Sequence, residues 1–187
     1  MTVGVLAFHG DFAEHVEILR NLNMKAKEVR NLEDLASVHR LIIPGGESTV
    51  MSRFLFSTGV GEEIQRRVQK ESFPVYGTCA GAILLAKRAT GKNAPKTLAL
   101  MDIVVDRNAY GTQRDSFEAR LKLKDEKTPI AVSFIRAPII EKIGSDVEVL
   151  ASHRQHPVLV RQGHLLTGTF HPEVRADHRI HEMFLAL

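Results

Sequence analysis

Residues 73–87 constrain this chain more than any other stretch. Phe73-Pro74-Val75-Tyr76 predicts a short apolar strand, Gly77-Thr78-Cys79-Ala80-Gly81 a tight turn, and Ala82 to Lys87 a helix. A strand that turns at once into a helix lifts the middle residue of the turn above the sheet edge. The backbone there is strained and needs a residue without a side chain two places away on either side. Gly77 and Gly81 stand in those two places, and the chain's one cysteine sits at the bend. A thiol so held faces the unpaired N–H groups of the helix's first turn, which favour its anionic form. Without the glycines, Cys79 would read as a small buried hydrophobe; with them it reads as a presented nucleophile.

A turn of that kind belongs to an α/β sheet, and the rest of the chain is consistent with one. The chain has 187 residues, 44% of them hydrophobic. At roughly 150 residues per domain, that predicts a single domain over 1–187 with one sizeable core. One cysteine excludes an internal disulfide. No basic-then-apolar leader precedes the first strand, so the expected compartment is the reducing cytoplasm. Apolar runs are too short to span a membrane. The net charge of +3 arises from 25 basic residues interleaved with 22 acidic ones. Arg66-Arg67 lies near Glu62, Glu63 and Glu71, which reads as a solvated helix face and not as a nucleic-acid site.

In chain order, Thr2 to Leu6 predicts a strand, Phe8-His9-Gly10-Asp11 a loop, and the periodic segment to Asn21 a helix. Asp11 and Glu14 resemble a capping box for it. Strands at Lys25 to Val29 and Arg40 to Ile43 follow, with Asn31 capping a short helical turn between them. Pro44-Gly45-Gly46-Glu47-Ser48 ends the third strand, with Ser48 a candidate N-cap; helices are expected at 49–56 and 62–70, separated by Gly59 and Gly61. Alternation at this spacing predicts a doubly wound, mostly parallel sheet flanked by helices, with its reactive loops at the carboxyl ends of the strands. Beyond a loop at 90–97 the pattern is β-rich, with segments at 98–105, 117–123, 130–135, 147–152, 158–161 and 165–170. Antiparallel additions to the sheet are expected, with a closing helix from about His178 to Leu187.

A cysteine nucleophile needs a base, and the base needs an orienting group. His171-Pro172-Glu173 offers both, directly after an apolar strand. The proline is expected to keep the backbone extended, so that His171 and Glu173 project to the same side. The oxyanion of a tetrahedral intermediate also needs donors, for which the backbones of Gly45, Gly46 and Ala80 are the candidates. His178 with His181, and His153 with His156, have ligand-like spacing. No second cysteine or carboxylate cluster completes a metal site, so they are expected to be exposed, and no metal is expected.

Taken together, these residues resemble the class I, or triad, glutamine amidotransferases. Within that class, six motifs occur in the order of one family, the glutaminase subunits of pyridoxal 5′-phosphate synthase. They are Pro44-Gly45-Gly46-Glu47-Ser48-Thr49, Gly77-Thr78-Cys79-Ala80-Gly81, Arg107-Asn108, Asp115-Ser116-Phe117-Glu118, Phe134-Ile135-Arg136-Ala137-Pro138 and Phe170-His171-Pro172-Glu173. The resemblance implies a flavodoxin-like fold and hydrolysis of L-glutamine, with Cys79 attacking the amide, His171 moving the proton and Glu173 holding the imidazole. It implies a glutamine site of Gly46, Glu47, Ser48, Arg107, Ile135 and Arg136, no cofactor, and a synthase subunit as partner that receives the ammonia. An arginine fork suits the carboxylate of a free amino acid. The chain departs from the family pattern at Phe8-His9-Gly10, usually leucine-glutamine-glycine, and at Gly111-Thr112-Gln113, usually glycine-arginine-glutamine. No catalytic role is assigned to His9 or Thr112. Two other readings share the fold: a glutaminase or cysteine hydrolase of another pathway, and a regulatory module without turnover.

Overall fold

The computed structural model describes residues 1–107, 116–175 and 177–187. Asn108, Asp115 and the Gly111-Thr112-Gln113 segment lie outside the described residues.

The first half is four β/α units. Strands β1 (Thr2–Leu6), β2 (Lys25–Val29), β3 (Arg40–Ile43) and β4 (Val75–Thr78) alternate with helices α1 (Phe12–Asn21), α2 (Leu32–Ala36), α3 (Ser48–Ser57), α4 (Val60–Glu71) and α5 (Ala80–Leu85). Strands β5 (Ala86–Thr90), β6 (Met101–Asp106), β7 (Phe117–Leu121), β8 (Ile130–Phe134), β9 (Ile139–Ile143), β10 (Glu148–His153), β11 (His156–Gln162) and β12 (Leu165–Gly168) follow. Helix α6 (Arg179–Leu185) closes the chain. The main sheet has seven strands in the order β10-β11-β12-β4-β3-β1-β2. β2, β1, β3, β4 and β12 run parallel, and β11 and β10 add antiparallel pairings at one edge. Strands β5, β6 and β9 form a second small sheet, and β7 and β8 a hairpin.

Alternation along the central strands divides the core between the two faces. Leu41, Ile43 and Val75 pack with Met51, Leu55, Ile64 and Leu84 of α3, α4 and α5. Ile42, Tyr76 and Leu166 pack on the other face with Val16 and Leu19 of α1 and Ile180 and Phe184 of α6. Helix α6 is fastened to the sheet by Arg40, whose guanidinium donates to the carbonyls of Phe184 (2.9 Å) and Leu185 (2.7 Å). Those are carbonyls a helix C-terminus leaves unpaired. Asn31 caps α2 as expected, accepting from the Asp34 N–H. Arg66 pairs with Glu63 and Glu71 on the exposed face of α4. No described helix is long and apolar enough to cross a membrane.

Several expectations are corrected. Asp11 precedes α1 but its side chain makes no capping bond, because it is drawn into the crevice described below. The N-cap of α3 is Glu47, not Ser48, and its carboxylate accepts from the N–H groups of Thr49 and Val50. Gly59 caps α4 at φ 75°, whereas Gly61 lies inside that helix. Residues 86–90, read partly as the tail of a helix, are a strand, and β9 went unforeseen. His181 is buried, and His153 is half-buried and stacked on Phe117 and Phe134.

Candidate active site

The carboxyl ends of β3, β4 and β12 and the loop after β1 meet in one crevice. Cys79 stands between β4 and α5 at φ 47° and ψ −99°. A non-glycine residue there is strained and persists only where its surroundings fix it. They do: the Cys79 N–H donates to the Gly168 carbonyl at 2.9 Å, and the Cys79 carbonyl accepts from Ala82. The flanking glycines serve close approach, and neither has positive φ. A Cβ on Gly81 would lie 2.2 Å from the Ile43 oxygen, and one on Gly77 would lie 2.7 Å from the backbone of Gly81. The elbow is thus wedged against the β3 turn. Cys79 Sγ itself donates to the Ile135 carbonyl at 3.9 Å.

His171 follows β12 by three residues, and its N–H is bonded to the Ser133 carbonyl at 2.8 Å, tying it to β8. Pro172 does not hold the chain extended; it occupies the start of a single 3₁₀ turn, Pro172–Val174, in keeping with proline's fixed φ at a first helical position. That turn still brings the pair together. His171 Nδ1 lies 2.6 Å from Glu173 Oε1, with both residues buried. A second carboxylate, which the sequence reading missed, shares the same nitrogen: Asp11 Oδ2 at 3.3 Å. Burial works against a charged imidazole, but Asp11, the hydrogen-bonded Cys79 sulfur and Glu173 outweigh it, and His171 is pushed up to about 12. Burial raises the Glu173 carboxyl, with the bond from His171 opposing, while the bond to His171 lowers Asp11. Asp11, His171 and Glu173 also converge closely enough to suggest a cation site. A 2.6 Å nitrogen–oxygen separation is a hydrogen bond, too short for an ion between the two atoms.

The β3 turn supplies the opposite wall. Gly45 lies against the imidazole, where a Cβ would stand 2.4 Å from His171 Cε1. Gly46 has φ 148°, and Gly10, at φ 90°, leaves no room for a Cβ beside the Gly45 oxygen. The Glu47 N–H donates to His9 Nδ1 at 3.3 Å, so the unusual His9 braces this turn. Ser48 is buried at the start of α3, and Ala80 opens α5. Arg107 is already engaged: it donates to Glu47 Oε1 (2.9 Å), Thr49 Oγ1 (2.8 Å) and the Asn93 carbonyl (2.6 Å). These bonds tie it to the start of α3. Ile135 and Arg136 are exposed after β8, and Arg136 adopts φ 45°.

A cysteine elbow, a carboxylate-bound histidine and a glycine turn meet at the ends of parallel strands, and the fold that holds them is that of the glutamine amidotransferase class. A glutamine amidotransferase crystal structure, 45% identical, superposes with a TM-score of 0.92 over 98% of this chain and 97% of that one. A Thermotoga maritima glutamine amidotransferase, 14% identical, shares the fold at TM-score 0.64 over 92% of this chain and 76% of that one. Within the class, this chain belongs to the SNO glutamine amidotransferase family, whose profile matches residues 5–187. Among its relatives are the proteins named pyridoxal 5′-phosphate synthase subunit PdxT of Pseudothermotoga lettingae and Dehalococcoides mccartyi. The first is 47% identical, over 100% of this chain and 95% of the relative; the second is 48% identical, over 100% and 97%.

Proposed function

We propose that this chain is the glutaminase subunit of a pyridoxal 5′-phosphate synthase, with Cys79, His171 and Glu173 as its catalytic triad. The observation that carries the reading is the 2.6 Å bond between His171 and Glu173 beside a strained Cys79. Family membership and relatives of matching length support the substrate class and the synthase partner.

In this reading Cys79 Sγ attacks the side-chain amide carbon of L-glutamine. Gly45, Gly46 and Ala80 offer backbone N–H groups to the oxyanion. His171 protonates the departing nitrogen as the C–N bond breaks, releasing ammonia and leaving a thioester. Water, deprotonated by His171, then attacks the thioester carbon; the C–S bond breaks, and glutamate leaves. Glu173 holds the imidazole by Nδ1, so that the other ring nitrogen serves the sulfur and the leaving group. Gly46, Glu47, Ser48, Ile135 and Arg136 line the glutamine site, and Arg107 shapes it through Glu47.

The ammonia goes to a synthase subunit docked near the β3 turn and the Cys79 elbow, because ammonia set free at neutral pH is largely protonated and lost as a nucleophile. Docking also aligns the β3 turn, so hydrolysis rises in the complex. A free, unbridged Cys79 suits a reducing cytoplasm. The test is glutaminase activity with and without the synthase subunit, then synthesis from amide-¹⁵N glutamine in excess unlabelled ammonium. Retained label supports direct transfer, and full equilibration with the ammonium pool refutes it. No Cys79-dependent hydrolysis in the complex refutes the whole reading.

A further inference from the structure

Behind Glu173 lies a buried polar chain that the triad does not use. His15 of α1 and His181 of α6 are both fully buried, and His15 Nδ1 lies 2.9 Å from His181 Nε2 across a separation of 166 residues. His15 Nε2 stands 3.5 Å from Glu173 Oε2 and 3.3 Å from Thr78 Oγ1. Glu173 Oε2, His181 Nδ1 and the Tyr76 hydroxyl are buried with no hydrogen-bond partner among the described residues. The Tyr76 ring meets both imidazoles edge-on.

The tautomers follow from this arrangement. A lone pair on His15 Nε2 would face a buried carboxylate oxygen, so that nitrogen carries the proton. His15 Nδ1 is then an acceptor and takes the N–H of His181 Nε2. The remaining atom, His181 Nδ1, is left as an unpartnered acceptor. In the opposite assignment the Thr78 hydroxyl can donate to His15 Nε2, but an N–H donor at His181 Nδ1 is left unpartnered and a lone pair lies 3.5 Å from a buried carboxylate oxygen, which is costlier in a dry interior. Both imidazoles stay uncharged: burial lowers His15 well below its ordinary value and brings His181 to about 3. The His15 Nε2–H is thus hydrogen-bonded to Thr78 Oγ1 and lies 3.5 Å from the oxygen of Glu173 that His171 leaves free, so the positive end of its dipole is beside that oxygen without a hydrogen bond to it.

We propose that His15, backed by His181 and fixed by Thr78, is a positioning pair for Glu173, setting a partly positive N–H 3.5 Å from its free oxygen and so favouring the charged carboxylate that serves His171. The proposal rests on the triad reading above and extends it from three residues to five. The other groups facing Glu173 are His171, Asp11 and Tyr76. Asp11 disfavours its charge, His171 supports it, and the Tyr76 hydroxyl is itself raised by burial and by Glu173. Removing His15 takes away that N–H and leaves the carboxylate easier to protonate. The acid limb of the rate profile must then move to higher pH.

The experiment is the pH profile of kcat and kcat/KM for glutamine hydrolysis by the reconstituted complex, with melting curves for each variant. His15→Phe should lower kcat about tenfold, leave KM nearly unchanged and move the acid limb up by about one pH unit. His15→Gln, which keeps an N–H donor, should recover most of that shift. His181→Phe should move the limb the same way by less, and tests the idea should His15→Phe fail to fold. A limb that coincides with wild type in folded variants overturns the proposal, as does an equal shift in His15→Phe and His15→Gln. If the wild-type complex shows no Cys79-dependent hydrolysis, the triad reading has failed and not this extension of it.

Discussion

Asp11 and Glu173 bind the same nitrogen of His171, at 3.3 Å and 2.6 Å, from elements at opposite ends of the chain. Glu173 is buried, whereas the Asp11 side chain is 41% exposed, so one carboxylate is held by the interior and the other is wetted at its rim. The imidazole thus keeps an anionic partner when either is lost. Glu173→Gln is expected to cost less than His171→Asn, and Asp11→Asn only a few-fold in kcat. The double variant Asp11→Asn/Glu173→Gln should lose more than the product of the two single losses. Saturation kinetics on the four proteins decide it; multiplicative losses would mean that the carboxylates do not substitute for each other.

Cys79→Ala removes the nucleophile and little volume. Hydrolysis should fall by at least about 10⁴-fold with an unchanged or raised melting temperature, since alanine at φ 47° is no more strained than cysteine. Glutaminase assay and thermal melts check both halves, and substantial residual hydrolysis refutes the role of the sulfur.

Gly45→Ala separates site geometry from fold. Its Cβ would stand 2.4 Å from His171 Cε1 and 2.9 Å from Asp11 Oδ2, so the imidazole must move. Activity should drop by about 10²-fold, as a displacement near 1 Å costs. Gly81→Ala is expected to reduce the melting temperature instead, because its Cβ would strike the Ile43 carbonyl, which is backbone and cannot swing aside. Circular dichroism melts beside kinetics distinguish the two, and a Gly45→Ala enzyme with wild-type kcat would exclude the close contact.

Arg107→Ala frees Glu47 from its ion pair and leaves α3 capped by a less fixed carboxylate. The KM for glutamine should rise several-fold, with stability reduced by no more than about 1 kcal/mol, the ordinary range for a partly exposed pair. Arg136→Ala should raise KM without any change in melting. An unchanged kcat/KM in both leaves these arginines as surface charge.

The parts of the fold and site that local pattern encodes were legible. The bounds of β1 and β3 agree with the apolar runs, those of β2 with the expected segment Lys25 to Val29, and the Gly77 to Gly81 spacing locates the elbow because the constraint on it is steric and nearby. What failed was set by distant partners. Asp11 with Glu14 has the pattern of a capping box, but His171, far along the chain, claims the carboxylate. His181 lies on a terminal helix between Ile180 and Glu182, where sequence alone does not say which face it takes, and it is buried against His15 on a helix whose end Arg40 grips. The short strand β5 was hidden because Ala86 continues the apolar run of α5, although strand pairing with β6 claims it. Arg107 has the chemistry of a carboxylate fork, and the carboxylate it pairs with in the fold is that of Glu47, 60 residues away, which no local pattern announces.

The buried histidines set the sign of one further prediction, the dependence of stability on pH. In the unfolded chain His15 and His181 take up protons below the ordinary value of 6.5; in the folded protein burial keeps both uncharged, His181 down to about 3. Their folded values are depressed, so the unfolded state binds more protons in this window and stability falls as pH drops from 6.5. Each contributes up to about 1.4 kcal/mol per pH unit. His171 is held up to about 12 and stays protonated in the fold, while the unfolded chain takes up that proton only around 6.5, so it opposes the two histidines in part between pH 7 and about 6 and adds little slope below that. Asp11 and Glu47 are lowered from 3.8 and 4.5 and act only at more acid pH. Glu173 is raised from 4.5, binds protons more readily when folded, and opposes the histidines in part. The melting temperature should therefore fall between pH 7 and pH 5, and the fall should be smaller in the His15→Phe/His181→Phe variant, whatever its absolute stability. A double variant that loses as much on acidification as wild type would show that these imidazoles are protonated in the fold.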